Sequence, residues 1–325
     1  MALFRKNNAD APDNALSMLF HVAGEAIPEN GEDSFCVDMR DNRAMVAVFD
    51  GCGGIGAQRY QNYCEKTGAF MAARAVAGAA EQWFADDADA AKLENYTRAA
   101  LRVCTRYGDQ QVSRLRGSLG KSFPTTMAAM VCAPAEADKA EDDKDENKVQ
   151  ADCFWAGDSR CYLLDQSGLH QLTADDTPGG NDAMSNLTDD GVLTNVINGS
   201  EPFALHRKSY TFSPPCILFS ATDGCFGYIA TPMEFELLLL RTLMDSKSIS
   251  EWKEHLFELF SEVSGDDFTM CLAGYGFKDF RDVQRRFSKR FSELDKLLEP
   301  EDVRNNLWAK YRKEYEAYLK MDGTI

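Results

Sequence analysis

The sequence predicts an α+β fold built on antiparallel sheets. Three observations lead there. Short apolar runs bounded by Gly, Pro, Asn and Asp come in groups, as strands joined by tight turns do. Segments of helical period come in pairs. No regular strand–helix–strand alternation, which a parallel sheet needs, runs through the chain. At 325 residues, 44% hydrophobic and 27% charged, the composition is that of a globular protein with room for one large domain and an appendage, or for two domains.

Residues 17–24, 34–38 and 44–49 read as strands, separated by the turn residues "PENG" and "DN". Residues 57–84 are alanine-rich and read as a helix, and 88–116 as a second. "TTMAAMVCA" (125–133) and "VQADCFWA" (149–156) are strand-like. Between them, 134–148 holds seven acids and three lysines. A tract of that composition cannot bury a core, so a disordered hairpin loop is expected, with an acidic docking segment as its functional alternative. Residues 160–173 read as a hairpin turning at Ser167-Gly168, and 174–200 as a long surface segment. "CILFSA" (216–221) is a buried strand, 233–244 and 249–263 are helices, and 268–277 is the last strand.

From residue 278 the pattern changes, which divides the chain into 1–277 and an appendage, 278–325. Phe280, Phe287 and Leu294 recur every seven residues, with Phe291 and Leu298 beside them. Pro300 interrupts, and acids at 301 and 302 suit a first helical turn. Leu307, Tyr311, Tyr315 and Tyr318 then share a face. A helical hairpin is expected, its apolar seams covering the chain's own domain, joining two copies or meeting a partner.

The formal net charge of −17 argues against nucleic acid and anionic membranes, whose phosphates call for Lys and Arg. Apolar runs such as "FELLLL" are too short to span a bilayer. "MALFRKNNADAPDNA" lacks the apolar stretch of a signal peptide, so a cytoplasmic protein is expected. None of the ten cysteines stands in C-x-x-C spacing. Several, such as Cys36, Cys132, Cys153 and Cys271, sit in apolar runs and read as buried, reduced thiols.

"VAVFDGCGGIG" (46–56) admits two chemistries. Its G-x-G-x-x-G fits a dinucleotide turn, but that turn needs a βαβ unit and an acid ending the next strand roughly 20 residues on. The segment after Gly56 is helical instead, and Asp50 before the first glycine would repel a pyrophosphate. The other chemistry is metal binding. Acids border short apolar strands at Glu32-Asp33, Asp50-Gly51, Asp223-Gly224 and Asp266-Asp267. One Asp-Gly alone reads as a plain turn. Four strand-end sites can converge, and converging carboxylates repel unless a cation such as Mg²⁺ or Mn²⁺ sits among them.

This ordered set resembles the metal-dependent protein phosphatases, the protein phosphatase 2C family. "NGEDSFCVD" is similar to its N-E-D segment, "VAVFDGCGG" to D-G-H-G-G and "FWAGDSRCYLL" to G-D-S-R. "LTADDTP" is similar to L-T-x-D-H, "LFSATDGCFGYI" to S-D-G-L-x-D and "GDDFTM" to D-N-x-S/T. The motifs run in family order from about residue 17 to 276; the tail lies outside them. The resemblance implies a four-layer α/β/β/α sandwich with a two-metal site at one edge of a catalytic domain spanning 1–277. It implies that Asp50 bridges two Mn²⁺ or Mg²⁺ ions, that the Gly51 carbonyl ligates one, that Glu32, Asp223 and Asp266 complete the pair, and that Asp33 holds water there. Asp158 would serve a third ion; its plain alternative is to cap a turn and pair with Arg160. A phosphoprotein is the implied substrate and hydrolysis of its phosphoserine or phosphothreonine esters the implied activity, with no cysteine nucleophile required.

Three positions depart from the family. Its D-G-H-G-G histidine, a proposed general acid, is Cys52; the last Asp of S-D-G-L-x-D is Gly227; and the phosphate-gripping Arg four residues before the Glu of N-E-D is Pro28. Arg59 is the first substitute for that arginine, its plain alternative being a solvated side chain on a helix. An active phosphatase and a pseudophosphatase that binds partners are therefore both in view.

Overall fold

The computed structural model describes residues 3–4, 14–108, 122–135, 147–178, 193–298 and 304–320. The first half of the chain carries β1 (Leu3–Phe4), β2 (Leu16–Gly24), β3 (Ser34–Arg40), β4 (Arg43–Phe49), the short helix α1 (Gly53–Gly56), a small pair β5 (Arg59–Tyr60) and β6 (Lys66–Thr67), then α2 (Gly68–Asp86) and α3 (Leu93–Gly108). There follow β7 (Met127–Pro134), β8 (Val149–Ala156), β9 (Arg160–Asp165), β10 (Gly168–Gln171), β11 (His206–Phe212) and β12 (Cys216–Ala221). The chain continues with α4 (Asp223–Phe226), α5 (Pro232–Asp245), α6 (Ile249–Val263), β13 (Phe268–Tyr275), α7 (Phe280–Leu298) and α8 (Arg304–Tyr315).

One sheet has the order β1-β2-β13-β12-β9-β10, the other β11-β8-β7-β4-β3, and every pair within them is antiparallel. The sheets stack face to face, with helices on both outer faces. Strand alternation shows why. In β4, Ala44, Val46 and Val48 face the other sheet while Met45, Ala47 and Phe49 face α2 and α3. In β12, Leu218 faces inward and Ile217 and Phe219 face α5 and α6. Strands covered on both faces read as unbroken apolar runs, and each such Val, Ile or Phe contributes about 1.5–3 kcal/mol when fully buried. The expected α/β/β/α sandwich is therefore what forms. None of the ten cysteines is in a disulfide; Cys36, Cys132, Cys153 and Cys271 are buried, whereas Cys64 is exposed and Cys52 half-buried.

Several boundaries differ from the sequence reading. The first helix starts at Gly68, not 57, because Cys64 and Glu65 take left-handed backbone (φ 54° and 61°), which turns the chain between β5 and β6. Thr67 then caps α2 by accepting the Phe70 N–H at 3.0 Å. The second helix starts at Leu93, after Ala88 at φ 56°, and ends by Gly108; the expected extension to 116 lies outside the described residues. Strand β11, in "HRKSYTF", went unread because its exposed and buried positions do not alternate cleanly. Residues 174–200 are not simply surface: Asp175, Val196, Ile197 and Asn198 are buried, and Ile197 bridges to Thr125. Residues 179–192, and 136–146 of the acidic tract, lie outside the described residues. The ends of that tract do close a hairpin, with β7 pairing β8 and the Ala135 N–H donating to the Lys148 carbonyl at 2.8 Å.

The tail seam is taken up by the chain's own core. Phe280, Val283 and Phe287 join Phe20 and Trp252 outside the six-stranded sheet, and Leu294 and Leu298 pack on Met233 and Leu237. Glu236, fully buried in α5, accepts two bonds from Arg290 at 2.5 and 2.8 Å and one from the Tyr311 hydroxyl at 2.6 Å.

Candidate metal centre

Strand register brings the acidic segments to one end of the sandwich. Ser34 pairs with Phe49, Val48 with Ala128 and Met127 with Ala156, so Asp33, Asp50 and Asp158 leave neighbouring strands at the same end. In the other sheet Ala221 pairs with both Arg160 and Met270, and Phe268 with Gly24. That sets Asp223 and Asp266 at the matching end. The sheets are joined there by Thr222, whose hydroxyl donates to Asp33 Oδ2 at 2.9 Å.

Neutral groups hold the carboxylates. Thr67 caps α2 and also donates its hydroxyl to Glu32 Oε1. A Cβ on Gly53 would overlap Glu32 Oε2, so a residue without a side chain is needed there. Asp50 is tied through its backbone: its carbonyl accepts the Thr126 N–H and the Thr125 hydroxyl, each at 2.8 Å. Gly51 is buried and bridges to Thr125. Asp267 accepts the Ala26 N–H at 2.8 Å and the Glu32 N–H at 2.5 Å, one on each oxygen, and so fixes the loop that presents Glu32 and Asp33. A Cβ on Gly224 would overlap the Asp267 carbonyl, which explains the glycine after Asp223.

These groups share one electrostatic field. Burial pushes the Asp50 carboxyl well above the usual carboxylate range, and the charges of Asp223, Asp33, Asp158 and Asp266 push it further. Burial, with Asp223 and Asp267, does the same to Asp33 against the pull of its threonine bonds. Asp158 is pushed up to about 8 by burial and by Asp223, and Asp223 up to about 6 by burial and by Asp266. Glu32 and Asp266 are raised, burial first in both.

A hard divalent cation fits this donor set. Every candidate donor is oxygen, from carboxylates or the Gly51 carbonyl, as Mg²⁺ and Mn²⁺ prefer. The Asp158 Oδ1 is buried with no hydrogen-bond partner among the described residues, an acceptor in need of a positive charge. Among the described residues no three His, Cys, Asp or Glu side chains form a ready-made cage. Mg²⁺ is commonly held by one or two carboxylates with several waters retained.

The structure thus brings the half-buried Asp33, Asp50, Asp158 and Asp223 together, with Glu32 beside Gly53 and Asp266 exposed at the edge. Asp158 does not pair with Arg160 as its plain reading supposed; Arg160 pairs with Asp175 at 2.7 Å. Arg59 does not sit on a helix but in β5, where its Nη1 donates to the Glu65 carbonyl at 2.8 Å and its charge reaches Glu32. The sequence names Asp267 beside Asp266 but gives it no role, and it does not single out Thr67 or Thr222. Thr67 had a signal, as an N-cap before an apolar helix. Asp267 had one in the doubled acid, of which the buried member proves to be the clamp.

No family model and no curated protein matches the chain. Solved structures do. The catalytic domain of the serine/threonine protein phosphatase PstP in complex with 2 manganese ions is 18% identical, over 79% of this chain and 96% of that one, at a TM-score of 0.52. Stp1 from Staphylococcus aureus is 17% identical over 80% and 96%, at 0.54. The PPM Ser-Thr phosphatase MsPP from Mycobacterium smegmatis, in complex with cacodylate, is 15% identical over 80% and 99%, at 0.52. The fold is therefore that of the protein phosphatase 2C-like enzymes, as the ordered motifs implied.

Proposed function

We propose that the chain is a metal-dependent phosphatase that hydrolyses phosphoserine and phosphothreonine esters in proteins. The observation that carries this reading is the convergence of Asp33, Asp50, Asp158, Asp223 and Asp266 at one end of this fold. Asp50 and the Gly51 carbonyl, with Glu32, Asp223 and Asp266, would hold two Mn²⁺ or Mg²⁺ ions, and Asp158 a further one. When bound, such ions lower the pKa of water and stabilise charge on phosphoryl oxygens. The remaining work falls to the chain. Asp33, fixed by Thr222, orients the attacking water. Asp267 and Thr67 hold the Glu32 loop in place.

Arg59 is the cation we assign to substrate phosphate, since its field already reaches Glu32. Lys66, bonded to the Glu29 carbonyl and to Asn30 Oδ1, adds charge beside the loop where Pro28 stands. The four histidines are engaged elsewhere, on Phe35, Glu314, Asp176 and Ser246, so no imidazole serves the leaving oxygen. No described helix is long and apolar enough to cross a membrane. Ten cysteines outside disulfides suit a reducing, cytoplasmic setting.

One observation favours a second reading, a pseudophosphatase that binds partners. A side chain at Gly227 would meet the Asp223 carbonyl at 2.9 Å, so the family's acid there cannot be restored without moving α4. Hydrolysis of an aryl phosphate and a phosphothreonine peptide, in chelator and after adding Mn²⁺, separates the two. We expect turnover restored by Mn²⁺; none after Mn²⁺ is added would favour the second reading, and full turnover in chelator would refute the metal site.

A further inference from the structure

The loops beside the aspartate cluster carry large apolar side chains that folding leaves in solvent. Tyr228, just beyond α4, is 52% exposed. Its ring lies on Gly265, where an added Cβ would come within 2.9 Å of it, and Asp266 is the next residue. Ile27 is 65% exposed and follows Ala26, whose N–H donates to Asp267 Oδ1 at 2.8 Å. Phe257 in α6 is 45% exposed; its ring centre lies 5.7 Å from that of Phe268, which in turn covers Gly24.

Single exposed apolar residues are common on any surface and need no explanation, whereas neighbours gathered at a cleft mark a place of contact. All three border one segment, 265–268, which carries the exposed Asp266. Glu25 and Glu29 are exposed in the same loop as Ile27. The cations nearby, Lys66 and Arg74, bond the carbonyls of Glu29 and Gly31. Apolar surface set among acids suits a chain that brings both an apolar and a basic side chain. The apolar one leaves water against Tyr228 and Ile27, and the cation meets the acids or the face of the Tyr228 ring. The same acids disfavour an anionic membrane.

We infer that Tyr228 and Ile27 are specificity-determining residues that select phosphoprotein segments with an apolar and a basic residue beside the phosphorylated one. The inference rests on the phosphatase reading above and adds a substrate class to it. Position argues for this occupant: the strip runs into Asp266, so a segment whose phosphate enters the aspartate cluster lays its flanking residues on Tyr228 and Ile27.

The test follows kcat/KM with Mn²⁺ on three phosphothreonine peptides, using full-chain wild type, Tyr228→Ser, Ile27→Ser and Leu297→Ser. The first peptide has Leu and Arg on both sides of the phosphothreonine; the second has Ser for each Leu, and the third Glu for each Arg. Leu297, 47% exposed on α7, is the control position. Wild type should favour the first peptide over each of the others by roughly three- to tenfold, the scale of one partly exposed apolar or charged contact. The Leu-over-Ser ratio should fall toward one in Tyr228→Ser and in Ile27→Ser, and persist in Leu297→Ser. Ile27 stands in solvent, so its variant answers even where Tyr228→Ser fails to fold. Equal kcat/KM in wild type for the first peptide and either of the others would overturn the inference and leave the phosphatase reading standing. So would a Leu-over-Ser ratio that survives in either folded variant, or one lost equally in Leu297→Ser. A wild-type dimer in light scattering that Tyr228→Ser dissociates would assign the strip to a second copy and overturn the inference too. If wild type turns over none of the peptides, their binding is read by fluorescence anisotropy. A Leu-over-Ser preference in affinity that the folded variants lose then keeps the strip as a docking site while the phosphatase reading falls; no preference overturns the inference.

Discussion

Arg160 and Asp175 form a buried ion pair, Nε to Oδ1 at 2.9 Å and Nη2 to Oδ2 at 2.7 Å, with both side chains almost wholly out of solvent. That pairing leaves Asp158, two residues before Arg160, with a buried Oδ1 lacking a hydrogen-bond partner among the described residues. With the arginine committed to Asp175, that carboxylate is left available to a cation, as the proposed metal site requires.

The first prediction concerns Asp158. Its folded pKa of about 8 lies above the ordinary 3.8, so the metal-free folded state holds a proton that the unfolded chain releases. Stability then falls as pH rises from about 4 to about 8. Asp158→Asn removes that penalty. Without metal it should melt a few degrees higher than wild type at pH 8.5 and no higher at pH 4, while gaining less from added Mn²⁺. Thermal melts at the two pH values, with and without Mn²⁺, check this.

The second prediction concerns its neighbour. Removing one partner of a buried ion pair leaves an uncompensated charge, at a cost of about 3–5 kcal/mol. Arg160→Met should lose that much in urea unfolding, and Arg160→Met with Asp175→Leu should recover a large part of it. Equal losses in the single and double variants would count against the pairing.

Much of this was legible in the sequence, for physical reasons. Strands buried on both faces leave unbroken apolar runs, so β4 and β12 were plain, and acids beside glycines at their ends marked Asp50 and Asp223. The α2 boundary was not legible, because 57–67 holds no Gly or Pro to stop a helix running into the alanine-rich stretch after Gly68, and only the left-handed backbone at Cys64 and Glu65 breaks it. Arg160 choosing Asp175 over Asp158 was equally hidden. Sequence proximity favours Asp158, but Asp158 lies in the bend between β8 and β9 while Arg160 opens β9, and the chain returning after β10 delivers Asp175 to the guanidinium.

A third prediction rests on His206 and Asp176, whose Nε2 and Oδ1 are 2.9 Å apart. The bond to Asp176 raises the His206 pKa above 6.5, with burial opposing. Burial raises Asp176, but bonds from His206, the Gly157 N–H and Asn195 outweigh it and leave its pKa below 3.8. The histidine's contribution is complete below about 6.5 and fades as pH climbs through its raised value; the aspartate's is present above about 3.8. His206→Gln, which keeps a donor and removes the charge, should therefore destabilise most between about pH 4 and 6.5 and hardly at all at pH 9. A deficit that does not shrink at pH 9 would count against this account.

Cys52 supplies the fourth. Its Sγ lies 4.0 Å from the Asp50 carbonyl, in the position where the family's histidine stands. A thiol near neutral pH is a poor stand-in for an imidazole acid. Cys52→Ala should retain most turnover, and Cys52→His should match or exceed wild type. A large loss in Cys52→Ala, measured as kcat on an aryl phosphate, would assign the thiol a chemical role.

The central claim, that the converging aspartates form a metal-dependent phosphatase site, is tested most directly by Mn²⁺-dependent turnover of a phosphothreonine peptide by wild type, Asp50→Asn and Asp223→Asn. The account predicts turnover in wild type that chelator abolishes reversibly, and a fall of roughly 100-fold or more in each variant, the scale of losing electrostatic support for a transition state. Turnover that survives in both variants, or in chelator, would contradict it.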